Sequence, residues 1–422
     1  MFSALRHCTT RIATPHTHPD GKIFAWFTFI ASIGEGAFWT VFPLILLRQL
    51  QSEQMTSYYQ SGIALVLFFA SLGSVFFFTR YSRVFITKII LIGSILALAG
   101  MTFASNIWHI ASLDIPRAIF ILLFNIALSL FLSSFYKRAQ LGEAEGRYFL
   151  FYSMGWLIGP ALGGLSSKYL GEQSVFIIAM VCYMVILALF LHQHFIAKHP
   201  DLQHARGGHD ALPWKHVVEF FRQPRLRLVF AASLGLSFWL AMAFLYRAMQ
   251  LKSLGFGDEV VGFAASAAGI PFILLDPRVG RWGDKYGVKR FLLLGFMWLG
   301  LSGVMLALMS HIPIFFFIFI ILASAGAACI EPLRDTFFYK SVKPADKEKF
   351  YGIYNLANPT ANICGPIIAA ALFTWHGYVS FWFGLGILMF IFAGIMLRIP
   401  ERIAVVKKTK VVFHRSRLKS IA

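Results

Sequence analysis

Charge is scarce in this sequence. Asp, Glu, Lys and Arg make up only 14% of its 422 residues, against roughly 25% in an ordinary soluble domain, which argues against a water-soluble enzyme. Cysteine is equally sparse: Cys8, Cys182, Cys329 and Cys364 form neither a CxxC pair nor a disulfide framework. There is no phosphate-cradling glycine loop, no HExxH and no GxSxG arrangement, so no enzymatic chemistry and no cofactor is expected. Residues 1–21 hold no apolar run of secretory-leader length, and the first apolar run is expected to stay in the protein as a membrane helix. Acids are the scarcer charge, 19 against 38 Lys and Arg. That excess suggests nucleic acid in a soluble chain, but in a membrane protein cytoplasmic loops produce it.

Apolar residues, by contrast, fill 58% of the chain. They gather into twelve runs, among them 22–47, 117–136, 148–166, 259–279, 312–337 and 351–374, and a bilayer-crossing helix needs ~20 such residues. The runs are too long for barrel strands, and backbone groups inside lipid must be satisfied internally. The expected fold class is therefore an all-α polytopic membrane protein with twelve transmembrane helices. All but five of the 38 Lys and Arg lie on the side of the amino terminus, the exceptions being Arg48, Arg117, Lys168, Arg247 and Lys252. This asymmetry places both termini in the cytoplasm and leaves no case for nucleic acid.

The organisation reads as a cytoplasmic segment 1–21, a six-helix bundle 22–196, a cytoplasmic linker 197–225, a second six-helix bundle 226–398 and a basic cytoplasmic tail 399–422. An internal repeat supports the division. Thr79-Arg80-Tyr81-Ser82-Arg83 weakly echoes the run from Gly280 to Arg290 at an offset of 205, and Gly159-Pro160 matches Gly365-Pro366 at an offset of 206. A duplicated unit of this kind places its substrate site between the halves near the midplane.

Two motifs carry a resemblance. Gly280, Asp284, Lys285, Gly287, Lys289 and Arg290 follow the spacing G-x-x-x-D-[RK]-x-G-x-[RK]-[RK], in which glycines permit a tight turn and the charges can latch one conformation. Gly155, Gly159, Pro160, Gly163 and Gly164 complete G-x-x-x-G-P-x-x-G-G in the fifth run. Glycines four apart make a flat stripe for close helix contact, and the proline removes a backbone donor. The sequence thus resembles the major facilitator superfamily, and in particular its twelve-helix drug:proton antiporters. That resemblance implies two pseudo-symmetric six-helix bundles working by alternating access, with helices 1, 4, 7 and 10 lining a central cavity and helices 2, 5, 8 and 11 flanking the interface. It also implies proton-driven export from the inner (plasma) membrane.

Ionisable residues inside the runs are the candidate site. Glu35, between Gly34 and Gly36, sits near the middle of the first run. A carboxyl group there must face a cavity, pair, or hold a proton, which makes it the first candidate for proton coupling. Trp39 lies one turn away, and Asn125 in the fourth run is a further cavity candidate. Glu331, Arg334 and Asp335 share one face of the tenth run, as a structural ion pair or as a substrate contact. Asn355, Asn358 and Asn362 are spaced as one polar stripe of the eleventh. Arg117, at the outer start of the fourth run, and Arg247, near the outer end of the seventh, read either as relay residues or as interfacial arginines. His192, His194, His199, His204, His209 and His216 surround the linker at irregular spacing, and a solvated loop rather than a metal site is expected. The expected activity is secondary transport, by proton-coupled efflux of a small organic molecule; import of a nutrient on the same fold is the alternative. Expected partners are the substrate, protons and the lipid bilayer, with the chain acting as a monomer.

Overall fold

The computed structural model describes residues 22–135, 138–192, 214–343 and 346–400. The segment 1–21, the tail beyond 400, and His194, His199, His204 and His209 lie outside the described residues. Six long helices form the first half: α1 (Lys22–Leu50), α2 (Glu53–Arg80), α3 (Arg83–Thr102), α4 (Ile107–Phe135), α5 (Arg138–Leu170) and α6 (Ser174–His192). A short α7 (Trp214–Arg222) precedes α8 (Pro224–Ser253), α9 (Asp258–Ala267), α10 (Ile270–Tyr286), α11 (Val288–Leu308), α12 (Pro313–Ser341), α13 (Lys347–Asn355), α14 (Ala357–His376) and α15 (Tyr378–Met396). Together they supply 12 spans long and apolar enough to cross a membrane, and the protein is a multi-pass, all-α membrane protein.

Two hydrophobic cores form. One draws only on residues between Phe24 and Phe190. The other runs from Phe220 to Ile399 and recruits Leu44 of the first half, with Leu47 packed against it. Phe220 docks α7 onto the second core against Phe350, ring centroids 5.7 Å apart. The halves meet along α5 with α9 and along α2 with α14, a symmetric pairing of spans 5 with 8 and 2 with 11.

The eighth and eleventh spans are broken, whereas the sequence suggested continuous helices over 259–279 and 351–374. Pro271 has no N–H to continue the helix after Gly269, so α9 ends and α10 begins there. Pro359 likewise frees the Asn355 carbonyl, and the chain turns at Leu356 between α13 and α14. The expected asparagine stripe is therefore interrupted: Asn355 closes one helix, while Asn358 and Asn362 share the next. The fourth span begins at Ile107 rather than 117, which puts Arg117 nearly three turns inside α4 instead of at its mouth. The turn expected across Gly280–Arg290 is confined to Gly287. α10 runs helically through Gly280 and Gly283 to Tyr286, and Gly287 alone takes φ 96°, a value that glycine tolerates.

The two Gly-Pro landmarks occupy matching places. A methyl group built on Gly159 would lie 2.5 Å from the carbonyl oxygen of Ile33 on α1, and one on Gly365 would lie 3.2 Å from Met242 Cγ on α8. Each pair thus packs on the first long helix of its own half.

Candidate functional site

The glycine motif of α5 serves both sides of that helix. Gly155, Gly159 and Gly163, spaced four apart, lie against Ser32, Gly36 and Ala37 of α1, where a Cβ would strike backbone or Cβ atoms at 2.5–3.0 Å. Gly164 instead abuts the backbone of Asp258 and Glu259 at the start of α9, and Gly262 abuts the Pro160 carbonyl in return. The Ala161 N–H donates to Ser266 Oγ at 3.0 Å, adding a polar link between the halves. One stripe fixes α5 to α1, and its far edge meets the opposite half.

Glu35 stands at the middle of α1 with its backbone pinned on both flanks. Gly34 packs on Ala179 and Cys182 of α6, and Gly36 on Pro160. The Glu35 carboxylate accepts from Tyr183 OH at 3.1 Å and from Trp39 Nε1 at 3.2 Å. Arg117 approaches from α4, its Nη1 3.6 Å from Glu35 Oε2, a distance that permits ion pairing but exceeds a hydrogen bond. The main partner of Arg117 is Asp114, one turn earlier: Nε and Nη2 lie 2.8 and 2.7 Å from Asp114 Oδ1. Tyr59 OH on α2 donates to Asp114 Oδ2 at 2.9 Å, and the guanidinium Cζ lies 3.7 Å from the centroid of the Phe38 ring, a cation–π contact. Arg117 and Asp114 are each 1% exposed, whereas Glu35 keeps 13% of its side-chain surface open. The acid is tolerated because it is paired and hydrogen-bonded, with one edge still reachable.

In the second half, Arg334 Nη2 bonds Glu331 Oε1 at 2.7 Å across one turn of α12, and its Nε is 4.0 Å from Asp335 Oδ1. Tyr354 OH on α13 donates to Asp335 at 2.5 Å. Asp276 of α10 joins this group electrostatically, facing Glu331 and Arg334. Asp276 Oδ1, Glu331 Oε2 and Arg334 Nε are all buried without a hydrogen-bond partner. An orphaned buried polar atom costs about 1–3 kcal/mol; Arg117 Nη1 of the first half is orphaned in the same way.

The remaining candidates are scattered. Asn125 is exposed on α4. Asn362 Nδ2 donates to Asn358 Oδ1 at 2.8 Å, so that pair satisfies itself. Arg247 forms no ion pair among the described residues, and its Cζ lies 5.3 Å from the centroid of the Phe244 ring. In the motif running from Gly280 to Arg290, Gly280 faces open space and Gly283 packs on Leu333, while Lys285 rests near the Tyr286 ring and Lys289 and Arg290 open α11; the Asp284 side chain lies outside the described residues. Among the described residues no group of three or more His, Cys, Asp or Glu gathers to hold a metal ion.

Sequence reasoning missed Asp114, Tyr59, Tyr183 and Asp276. Asp114 was signalled by its spacing of three from Arg117, and Asp276 by lying inside an apolar run. Nothing in the local sequence marks the two tyrosines.

A fastener links the halves at the end that carries the connections 1–2, 5–6, 7–8 and 11–12. Asp258 accepts from Lys252 at 2.6 Å and, across the interface, from Ser167 at 2.5 Å, with Arg48 at 3.4 Å; Arg48 also pairs with Glu172. Lys168 meets Glu259 at 2.8 Å, Ser57 meets Tyr246 at 2.9 Å, and Tyr378 donates to Glu53 at 3.3 Å.

Residues 24–257 and 239–419 match the Major Facilitator Superfamily. The chain belongs to that family. As a major facilitator it resembles drug:proton antiporters. It is 23% identical over 291 residues to a multi-drug resistance efflux pump PmrA homolog of Lactococcus lactis, covering 68% of this chain and 69% of the relative. It is 25% identical over 312 residues to the multidrug resistance protein MdtG of Salmonella dublin, covering 69% and 72%. A solved POT family transporter in complex with a thioalcohol-conjugated peptide shares its fold, with a TM-score of 0.74 at 12% identity over 90% of this chain and 95% of that one.

Proposed function

We propose that this major facilitator is a proton-coupled exporter of small organic molecules in the inner (plasma) membrane, with both termini cytoplasmic. The reading rests on the contact between Glu35 and Arg117. Because Asp114 Oδ1 already accepts from both Nε and Nη2 of the guanidinium, Glu35 can take up a proton while the buried cation keeps a carboxylate partner. Its open edge gives that proton a route in, and Tyr183 and Trp39 keep the carboxyl group in place in either state.

The distribution of Lys and Arg puts the fastened end of the molecule outside. In this conformation the halves are then closed to the exterior, the state that loads substrate from the cytoplasm. In the cycle, an outside-facing Glu35 binds a proton, the halves 22–196 and 226–398 rock about the α5–α9 and α2–α14 seams, and cytoplasmic substrate displaces the proton. Asp276, Glu331 and Asp335 offer a further place for a proton or for a polar group of the substrate. The multidrug efflux proteins among the relatives support export over import.

Replacing Glu35 with Gln in proteoliposomes tests this. The expected outcome is loss of pH-gradient-driven extrusion of fluorescent pump substrates, with an unchanged gel-filtration profile and retained gradient-independent exchange. Unaltered coupling would overturn the assignment of Glu35. Accumulation of the compound under an acid-outside gradient would favour the import reading.

A further inference from the structure

α8 carries a cation with no carboxylate partner among the described residues. Among the described residues no carboxylate oxygen lies within 4.0 Å of the Arg247 guanidinium, although the residue lies inside a membrane span. An unpaired charge there is expensive and marks a functional position by default. α8 packs on α1, α12, α14 and α15, and Phe244, one turn before Arg247, meets α5 of the other half. The stripe concerned carries Leu240, Phe244, Arg247 and Leu251, spaced four, three and four apart. Exposure falls along that stripe, from exposed Leu240 through half-buried Phe244 and Arg247 to fully buried Leu251. That is the profile of a crevice narrowing toward the fastened end, with Arg247 near its apex.

The first half contributes the opposite wall. Tyr152 and Trp156 lie one turn apart on α5, the former exposed and the latter half-buried, with ring centroids 6.2 Å apart. Trp156 then meets Phe244 across the interface, 5.7 Å away and edge to face. An aromatic row therefore runs from one half to the other and ends at a bare guanidinium. The acids of the second half do not compete for it. Ser233, which contacts Tyr354 beside Asp335, sits fourteen residues before Arg247 on the same helix, a rise of ~21 Å.

We propose that Arg247, Trp156 and Phe244 form a subsite for an aromatic anion. The flat ring lies against the two aromatic side chains and a carboxylate engages the guanidinium through paired charge-assisted hydrogen bonds. This rests on the transport reading and narrows its substrate class to compounds that combine a ring system with an acid group.

The test is calorimetric titration of the full-length, detergent-solubilised protein with 2-naphthoate, its methyl ester and 2-naphthylmethylammonium. Naphthoate is expected to bind about tenfold or more tightly than the ester or the ammonium compound, a gap of one decade in Kd. Arg247→Gln is expected to erase that gap, Arg247→Lys to keep part of it, and Trp156→Ala to weaken acid and ester alike. Failure of naphthoate to bind, equal binding of acid and ester, or an affinity for naphthoate preserved in Arg247→Gln would each overturn the proposal. If Arg247→Gln does not yield folded protein, the wild-type acid-to-ester ratio together with Arg247→Lys decides. Binding of naphthoate through Arg247 without flux in vesicles would sink the transport reading and leave the subsite standing.

Discussion

In the first half of the molecule Arg117 stands between two acids, and both are otherwise engaged: Asp114 by Tyr59, Glu35 by Tyr183 and Trp39. In the second half Arg334 faces Glu331, Asp335 and Asp276, and an oxygen on each of Glu331 and Asp276 is left without a partner. Both clusters leave buried polar atoms without a partner, but of opposite kind: in the first the orphan is a cation nitrogen, Arg117 Nη1, while both acids are engaged, and in the second the orphans include two acid oxygens. Orphaned acid oxygens suit a proton or a polar donor, whereas an orphaned guanidinium nitrogen suits an acceptor. The difference matters because the Gly-Pro landmarks pack at matching places in the two halves, so it stands within a common frame.

The sharpest way to break the comparison is Asp114→Asn. Removing one partner of a buried pair costs about 3–5 kcal/mol, and a large drop in the unfolding temperature of the purified protein is expected. Equal losses in Asp114→Asn and Asp276→Asn would show that the two clusters are not different in kind.

A smaller effect separates the paired glycines. Gly159→Ala forces a methyl group onto the α1 backbone and is expected to cost about 1–3 kcal/mol. Gly365→Ala meets only the flexible Met242 and Phe238 side chains and is expected to stay within about 0.5 kcal/mol. Unfolding of both variants in one denaturant series checks this.

Asp258→Asn bears on how the halves separate rather than on how each is built. With the hub of the fastener weakened, a cysteine placed at Ser57 is expected to react several-fold faster with an impermeant maleimide added outside. An unchanged rate would mean that the small-residue seams alone hold the closed state.

The smallest change is expected for Asp276→Asn. Three carboxylates around one guanidinium repel each other, so thermal stability should be unchanged or slightly raised.

Much of the fold was legible because the membrane writes it in a coarse code. Runs of ~20 apolar residues, a one-sided distribution of Lys and Arg, and a complete ten-residue helix-5 motif are readable without any contact. Glu35 and Trp39, one turn apart, and Glu331 with Arg334 were legible for the related reason that one helix brings such neighbours together. Asp114 was lost because the polar residues around it made the fourth run seem to begin at Arg117. The pair neutralises itself at a spacing of three, and so the helix continues for ten residues beyond that point. The asparagine stripe failed for the converse reason, since Pro359 breaks the register that the spacing assumed.

The sequence by itself determined the number of long apolar helices and the placing of Glu35, Glu331 and Arg334 within them, because burial of apolar runs and backbone satisfaction leave the chain little choice. Only the tertiary structure decided which charges meet. Tyr59, Tyr183 and Arg117 reach the acids from separate helices, and Arg247 is left beside the Phe244 ring with no carboxylate partner among the described residues, because partners across helices depend on how the helices pack and not on their distance along the chain.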